Sequence, residues 1–365
     1  MKTKNNIVYA DSSGGVKSVS ESLFFSFSEH SIKSSLINLN DFDHGFFKKI
    51  YKSLQCLLQL KKDDVLILQH FYPIFIGLLL RFFGYSKLIN VVHTDLVEYY
   101  ASIGLLKKAI ISFVFFFLKN DVIVFVSKES EAKAKVKFNL KNTVTIYNVY
   151  SCSADKPEIR KLDSKIKLGS ISRLNKTKNI DLLIRVFKKV KCTIPNAELL
   201  IYGSGDEQEK LEQYIKQQGC ADFVKLLGPS NDKDTMYASI DAMISFSSIE
   251  GLPTVILESV GHGVPVFYTD CSSGPRELMS PTTDPLAKTA SYEKTNIGYL
   301  VKPTKNTATY SQQLDDYETE YVDIMLAFID DLKNTRFSME YDPDRFSEKT
   351  IVKQWQELIE SLNLS

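Results

Sequence analysis

At 365 residues the chain is long enough for two domains, and its 44% hydrophobic and 24% charged side chains have the balance of a globular protein. The five cysteines, Cys56, Cys152, Cys192, Cys220 and Cys271, include no C-x-x-C pair, which argues against a disulfide or zinc framework and for free thiols in a reducing compartment. Net charge is only +1, yet residues 1–150 carry 19 basic against 12 acidic side chains and the remainder 26 against 32. The front half is therefore the one suited to nucleic acid, an anionic membrane or a phosphorylated substrate.

The opening Met1-Lys-Thr-Lys-Asn-Asn runs straight into an apolar stretch with no visible secretory signal, so a cytoplasmic protein is expected. Asn6 to Ala10 reads as a strand, Asp11-Ser-Ser-Gly-Gly15 as a turn and Val16 to Glu29 as a helix. Strand, Gly-rich turn and helix open a doubly wound sheet. Gly15 would let a ligand approach the backbone, and it equally suits a plain tight turn. Asp41-Phe-Asp43 spells a metal-type Asp-x-Asp but stands in a polar turn without matching context, and is read as chance. Val65 to Leu68 is a second strand, ending at Gln69-His70, and residues 73–83 form a helix apolar nearly all round. Leu88 to Val92 is the next strand, with His93-Thr94-Asp95 directly after it. Ligands of open α/β sheets bind at the carboxyl ends of strands, which makes His93 a candidate site residue and His70 a weaker one.

Residues 109–118 are apolar but far short of the ~20 that a spanning helix needs. Lys107, Lys108 and Lys119 flank them. With residues 73–83 they fit a pair of core helices, or else a surface that dips into a membrane interface with its lysines on anionic lipid. Val122 to Val126 is a strand, Glu129 to Phe138 a helix, and Val144 to Asn148 a further strand.

Ser151 to Lys165 is polar, contains Pro157, and reads as a linker. Ile166 to Ser170 restarts a sheet. Arg173 ends that strand and Lys178 opens the helix 180–190, so both can point into one crevice. Glu198 to Tyr202 leads into Gly203-Ser-Gly205. An apolar run from Val224 to Gly228-Pro229 follows, and Val264 to Tyr268 and Gly298 to Val301 are further strands. Ser272-Ser-Gly274-Pro275-Arg276-Glu277-Leu278 opens a short helix. Helices are expected over 312–332 and 346–362, the last amphipathic and carrying Trp355.

The most informative run is Ser247-Ser-Ile-Glu250-Gly251-Leu252-Pro253-Thr254-Val-Ile-Leu-Glu258, between a buried strand over 242–246 and an apolar helix. Pro253 suits a first helical position, and Glu258 then lies roughly 7–8 Å further along the axis. Free N–H groups at a helix tip attract anions, and Gly251 admits a ligand to the backbone. Two carboxylates beside an anion site would repel a bare phosphate. They suit a ligand with hydroxyl groups on both sides of its phosphates, as a nucleotide sugar has.

Glu-x7-Glu with Gly and Pro near the first Glu resembles the signature of retaining glycosyltransferases of family 4, the group 1 glycosyl transferases with the GT-B fold. Arg-Leu then Lys at 173–178, Gly-x-Gly at 203–205, Gly-Pro-x-Glu at 274–277 and Gly-x-Leu-Val at 298–301 follow in that family's order. Ser172, Asn179 and Val149 depart from it, each standing where the family has glycine. The resemblance implies an α/β protein of two Rossmann-like doubly wound domains facing each other across a cleft: 1–155 on the acceptor side, 156–343 binding the nucleotide sugar, and a helix over 344–365 crossing back to the first. It implies Glu250 and His93 at the transferred sugar and Glu258 on the ribose. Arg173, Lys178 and the Gly251, Leu252, Pro253 and Thr254 segment would hold the diphosphate, with Gly203 and Gly15 close to the donor. Two fixed cations would offset the leaving group's charge, so no metal and no cofactor are expected. The implied reaction moves a hexose or N-acetylhexosamine, UDP-linked, to a lipid-linked or polysaccharide precursor of a cell-surface glycan such as O-antigen, lipopolysaccharide, capsule or exopolysaccharide. The implied place is the inner face of the cytoplasmic membrane, with peripheral contact to anionic lipid and no nucleic-acid partner. A sugar-nucleotide epimerase of the same fold and a non-catalytic nucleotide-sugar or membrane-binding protein remain alternatives. A nicotinamide dehydrogenase would want G-x-G-x-x-G and an acid after the second strand, and neither is clear.

Overall fold

A computed structural model describes residues 4–10, 15–41, 45–150, 165–305, 307–334, 337–342 and 344–364. The Asp11–Gly14 part of the first turn, Asp43 of the Asp-x-Asp run and the 151–164 linker with Pro157 lie outside the described residues. The chain divides into two compact units, Met1–Ser151 with Asp342–Ser365, and Cys152–Tyr341.

Unit 1 alternates strand and helix: β1 (Asn5–Tyr9), α1 (Gly15–Glu29), β2 (Ser34–Asn38), α2 (Phe46–Leu57), β3 (Val65–Gln69), α3 (Phe71–Leu80), β4 (Leu88–Val92), α4 (Leu96–Ser102), α5 (Leu105–Phe117), β5 (Val122–Phe125), α6 (Lys128–Phe138) and β6 (Asn142–Thr145). The six strands form one parallel sheet in the order β2-β1-β3-β4-β5-β6. β1, β3, β4 and β5 are buried at every position, which is why they read as short continuous apolar runs. β2 is half-buried throughout, and its Ser-Ser-Leu-Ile-Asn gives no such run.

The two apolar helices of this unit have different surroundings. α3 belongs to the core: Ile74, Ile76, Leu78 and Leu80 are buried in it. A Cβ on its Gly77 would stand 2.1 Å from Leu68 Cδ1, so glycine there lets α3 lie flat on β3. α5 buries only Val114 and Phe115, and most of its large apolar side chains are exposed.

Unit 2 comprises β7 (Ile166–Ile171), α7 (Ile180–Thr193), β8 (Ala197–Tyr202), α8 (Gln208–Gln217), β9 (Val224–Gly228), α9 (Lys233–Ala238), β10 (Ala242–Ser245), α10 (Thr254–Gly261), β11 (Val266–Thr269), α11 (Pro275–Met279), β12 (Tyr292–Thr295), β13 (Gly298–Val301) and α12 (Asp316–Lys333). The sheet order is β12-β13-β11-β10-β7-β8-β9, parallel except for β12. α12 starts four residues later than the apolar pattern suggests. Asp315 caps it, accepting from the Glu318 N–H at 2.7 Å, while Glu318 reaches back to the Asp315 N–H, a reciprocal cap that fixes the first turn.

The chain then returns to unit 1 as α13 (Glu348–Leu364). The Tyr150 N–H donates to the Phe346 carbonyl at 3.0 Å, and Trp355 meets Phe27 edge-on with centroids 6.3 Å apart. Both rings are buried. Trp355→Ala should therefore lower the unfolding free energy by about 3–5 kcal/mol, the usual range for emptying a buried aromatic site, measurable by urea denaturation followed by far-UV circular dichroism.

Candidate functional site

In the second sheet β7 lies between β10 and β8. The chain leaves β7 for β8 and β9 on one side and comes back to β10 on the other. The loops after β7 and β10 therefore part around the sheet's carboxyl edge, where open α/β sheets take their ligands. Arg173 and Lys178 stand in the first of these loops, and Glu250 to Pro253 in the second.

Backbone contacts fix the loops to one another. Gly203, at φ 130°, approaches the β7 loop so closely that a Cβ would lie 1.8 Å from the Ser172 carbonyl oxygen. The Ser172 N–H donates to the Tyr202 carbonyl at 3.1 Å, and the Leu174 N–H to that of Ser204 at 2.9 Å. Across the divide, the Thr177 carbonyl accepts from the Ser248 N–H at 2.8 Å and from Ser248 Oγ at 3.1 Å. Gly274, at φ 95°, brings the loop before α11 against the Gly251 carbonyl. The role found for Gly203 within this unit is thus to seat the loop that carries Arg173.

Lys178 Nζ lies 2.5 Å from Glu250 Oε1, and the Tyr268 hydroxyl donates to the same oxygen at 2.6 Å. Glu250 Oε2 has no partner among the described residues. The side chains of Lys178 and Glu250 are 18% and 11% exposed, so each needs a charged or hydrogen-bonding neighbour at all times. Burial, reinforced by the Glu250 charge, pushes the Tyr268 phenol and the Cys271 thiol well above their usual values, so both remain protonated. Arg173 is exposed, with no side-chain partner among the described residues.

α10 begins at Thr254, one residue later than the position of Pro253 suggests. Pro253 has ψ 87° and serves as N-cap. Leu252 and Pro253 are buried and Gly251 is half-buried, so this segment can offer a ligand backbone groups rather than side chains. The first N–H groups of α10 lack intrahelical partners and carry the positive end of its dipole. Further along, Glu258 is engaged through both oxygens, by Lys233 at 2.8 Å and by the Tyr237 hydroxyl at 3.2 Å. The lysine of that pair is 57% exposed, and exposed pairs are weak, so a diol could replace it. Tyr268 and Lys233 escaped the sequence reading. The signal for Tyr268 was a hydroxyl-bearing ring ending an otherwise apolar strand.

The other two candidates are in unit 1. Gly15 is the exposed first residue of α1, where an added Cβ would meet nothing within 4 Å among the described residues. His93 follows β4, half-buried, with Nε2 2.5 Å from Gln69 Oε1. An amide oxygen only accepts, so Nε2 carries the proton. Burial, then the nearby His70, lowers the His93 pKa from 6.5 to about 3, and the ring is neutral near pH 7. A small crevice adjoins it, lined also by Gln69, Tyr147, Asn148 and Trp355. Asp95 has a structural role instead, capping α4 through the Val97 and Glu98 N–H groups and pairing with Lys133 at 3.2 Å.

Residues 153–326, just under half of the chain, match the family model for glycosyl transferases group 1. An uncharacterized glycosyltransferase of Methanocaldococcus jannaschii is 28% identical over 86% of this chain and 83% of its own length. Among solved structures, Anabaena HepE in complex with UDP and glucose superposes with a TM-score of 0.70 at 18% identity, covering 98% of this chain and 99% of that one. A TarM mutant of S. aureus, in complex with fondaparinux, α-GlcNAc-glycerol and UDP, gives 0.64 at 18% identity over 85% of this chain. This chain spans only 59% of TarM's length. The second unit is thus similar to the group 1 glycosyl transferases over the matched residues, and the chain has the GT-B fold, two Rossmann-like α/β units built on parallel sheets.

Two consequences can be measured. Gly203→Ala forces a left-handed residue's side chain against the Ser172 carbonyl, and should destabilise the protein by about 2–3 kcal/mol in chemical denaturation. For His93, the unfolded chain binds a proton near pH 6.5 that the folded one refuses until about 3. The resulting stability is complete above 6.5 and is lost as pH falls towards 3. Between pH 6.5 and 4, the melting temperature of His93→Gln should fall less steeply than that of the wild type.

Proposed function

We propose that this chain is a retaining, metal-independent glycosyltransferase of group 1. It moves a hexose or N-acetylhexosamine from a UDP-linked donor to a lipid-linked or polysaccharide precursor of a cell-surface glycan, at the inner face of the cytoplasmic membrane. The observation that carries this reading is the meeting of Lys178 and Glu250 at the point where the second sheet reverses its winding. A cation and a carboxylate held together there match the two parts of a nucleotide sugar. Lys178 turns to the diphosphate and Glu250, still held by Tyr268, offers Oε2 to a sugar hydroxyl.

Arg173, exposed and without a side-chain partner among the described residues, supplies the second positive charge, and the Gly251–Thr254 amides at the tip of α10 supply further donors. Together they stabilise the diphosphate as it leaves, which is where negative charge develops. Glu258 grips the ribose after exchanging Lys233 for the two hydroxyls. The acceptor hydroxyl attacks from the side the leaving group vacates, and the departing phosphate oxygen takes its proton. Glu250 then positions the sugar and forms no covalent bond to it. His93, neutral and fixed by Gln69, keeps the role that the resemblance implies for it, at the sugar's primary hydroxyl. The likeness to HepE and TarM, both solved with UDP, supports the choice of nucleotide.

Arg173→Ala should reduce transfer by about 10²–10³-fold, the scale of losing one donor to a developing oxyanion, with an unchanged melting temperature. Turnover like that of the wild type would defeat the phosphate assignment. Transfer should persist in excess EDTA. Conversion of the donor sugar without any acceptor would instead identify an epimerase.

A further inference from the structure

The first unit carries a surface for which donor chemistry has no use. At 100° per residue, Leu105, Leu106, Ile110, Phe113, Phe116 and Phe117 of α5 fall within one arc of about 140°, opposite the buried Val114 and Phe115. All six are exposed, Leu105 by 85%, Leu106 by 76%, Phe116 by 61% and Phe113 by 58%. The rings support one another: the Phe113 and Phe117 centroids are 4.8 Å apart, those of Phe116 and Phe117 5.4 Å. Basic groups border this face. Lys107 is exposed, and Lys119 Nζ lies 5.0 Å from the centroid of the Phe116 ring. Between Tyr99 and Asn120 there are three lysines and no Asp or Glu.

We infer that this face of α5 seats in the headgroup region of an anionic lipid bilayer, lying in its plane. Thirteen residues make a helix of about 20 Å, and none of the described helices is long and apolar enough to cross a membrane. What α5 has is the composition of an interfacial helix, with Phe and Leu on one side and lysines beside them at the level of lipid phosphates. A second copy of the chain is a poorer occupant. A two-fold interface on this face would set lysine against lysine with no acid of the same segment to meet them. The surplus of basic side chains in residues 1–150 extends the same electrostatic preference beyond the helix.

The inference deepens the proposed reaction, whose acceptor would be presented at such a surface, and it rests on that reading for its purpose. Its test needs no turnover. Full-length protein is floated with phosphatidylcholine vesicles with and without phosphatidylglycerol. The wild type should float with the anionic vesicles and stay behind with the neutral ones, and added salt should weaken the association. The triple variant Phe113→Ser, Phe116→Ser, Phe117→Ser should lower the bound fraction about tenfold, and Lys107→Glu with Lys108→Glu should do so independently. UDP binding and the melting temperature should be unchanged in both. A wild type that ignores anionic vesicles, or a triple variant that floats as well as the wild type, overturns the inference. So does a wild-type dimer in size-exclusion chromatography that the triple variant splits, since the face would then be a subunit interface. Flotation without sugar transfer would instead leave the membrane face standing and remove the proposed reaction.

Discussion

Lys178 and Glu250 touch because β7 and β10 are neighbours in the sheet although some seventy residues separate the two side chains. A doubly wound sheet creates that adjacency once, where the winding changes direction, and leaves a gap above it that no crossover covers. The remaining architecture of unit 2 serves to hold the gap's walls still. Ser172 and Leu174 are fastened to the loop after β8, and Thr177 to the loop after β10. The loop before α11 is pressed onto Gly251 by a glycine that leaves room for it. Charged side chains hung on loops are accurate only when the loops cannot drift. Here the restraint is backbone hydrogen bonding rather than side-chain packing.

The ion pair also sets the electrostatic terms on which a ligand enters. Neither partner can be left bare in a half-buried setting, so whatever draws Lys178 away must leave Glu250 with another neighbour. Tyr268 provides that continuity from the adjacent strand, as a phenol that burial and the carboxylate together keep protonated. Glu258 is in a looser position, since its lysine partner extends into solvent. The two acids of the motif therefore differ in how readily they exchange partners, the first being the more constrained.

Much of this was legible in the chain. Arg173, Glu250 and His93 each come shortly after an apolar run and Lys178 comes just before one, and the ends of buried elements are recognisable from one local window. The strands themselves were legible for the same reason, because burial on both faces leaves an uninterrupted apolar signature. What was not legible depends on partners distant in sequence. Tyr268 meets Glu250 from eighteen residues away and Lys233 meets Glu258 from twenty-five, and neither spacing follows from a local pattern. β2 and β12 are half-exposed edge strands without an apolar run, and α9 is a six-residue helix too short to show a period. The apolar segments of unit 1 show the limit most plainly. Composition treated residues 73–83 and 109–118 as a pair, whereas only the first is enclosed by other elements. Hydrophobicity tells how strongly a surface avoids water and says nothing about what will cover it.

The position of Trp355 has a spectroscopic consequence. It is the single tryptophan of the chain, and its indole is buried beside Phe27 within unit 1. Emission excited selectively at the indole band therefore reports the environment of the first unit. Loss of order confined to the second unit would be dark at that wavelength. Tyrosine absorbance reports on both units, since tyrosines such as Tyr85 and Tyr147 lie in the first and Tyr268 and Tyr321 in the second, so an event seen there and not in the indole emission belongs to the second unit.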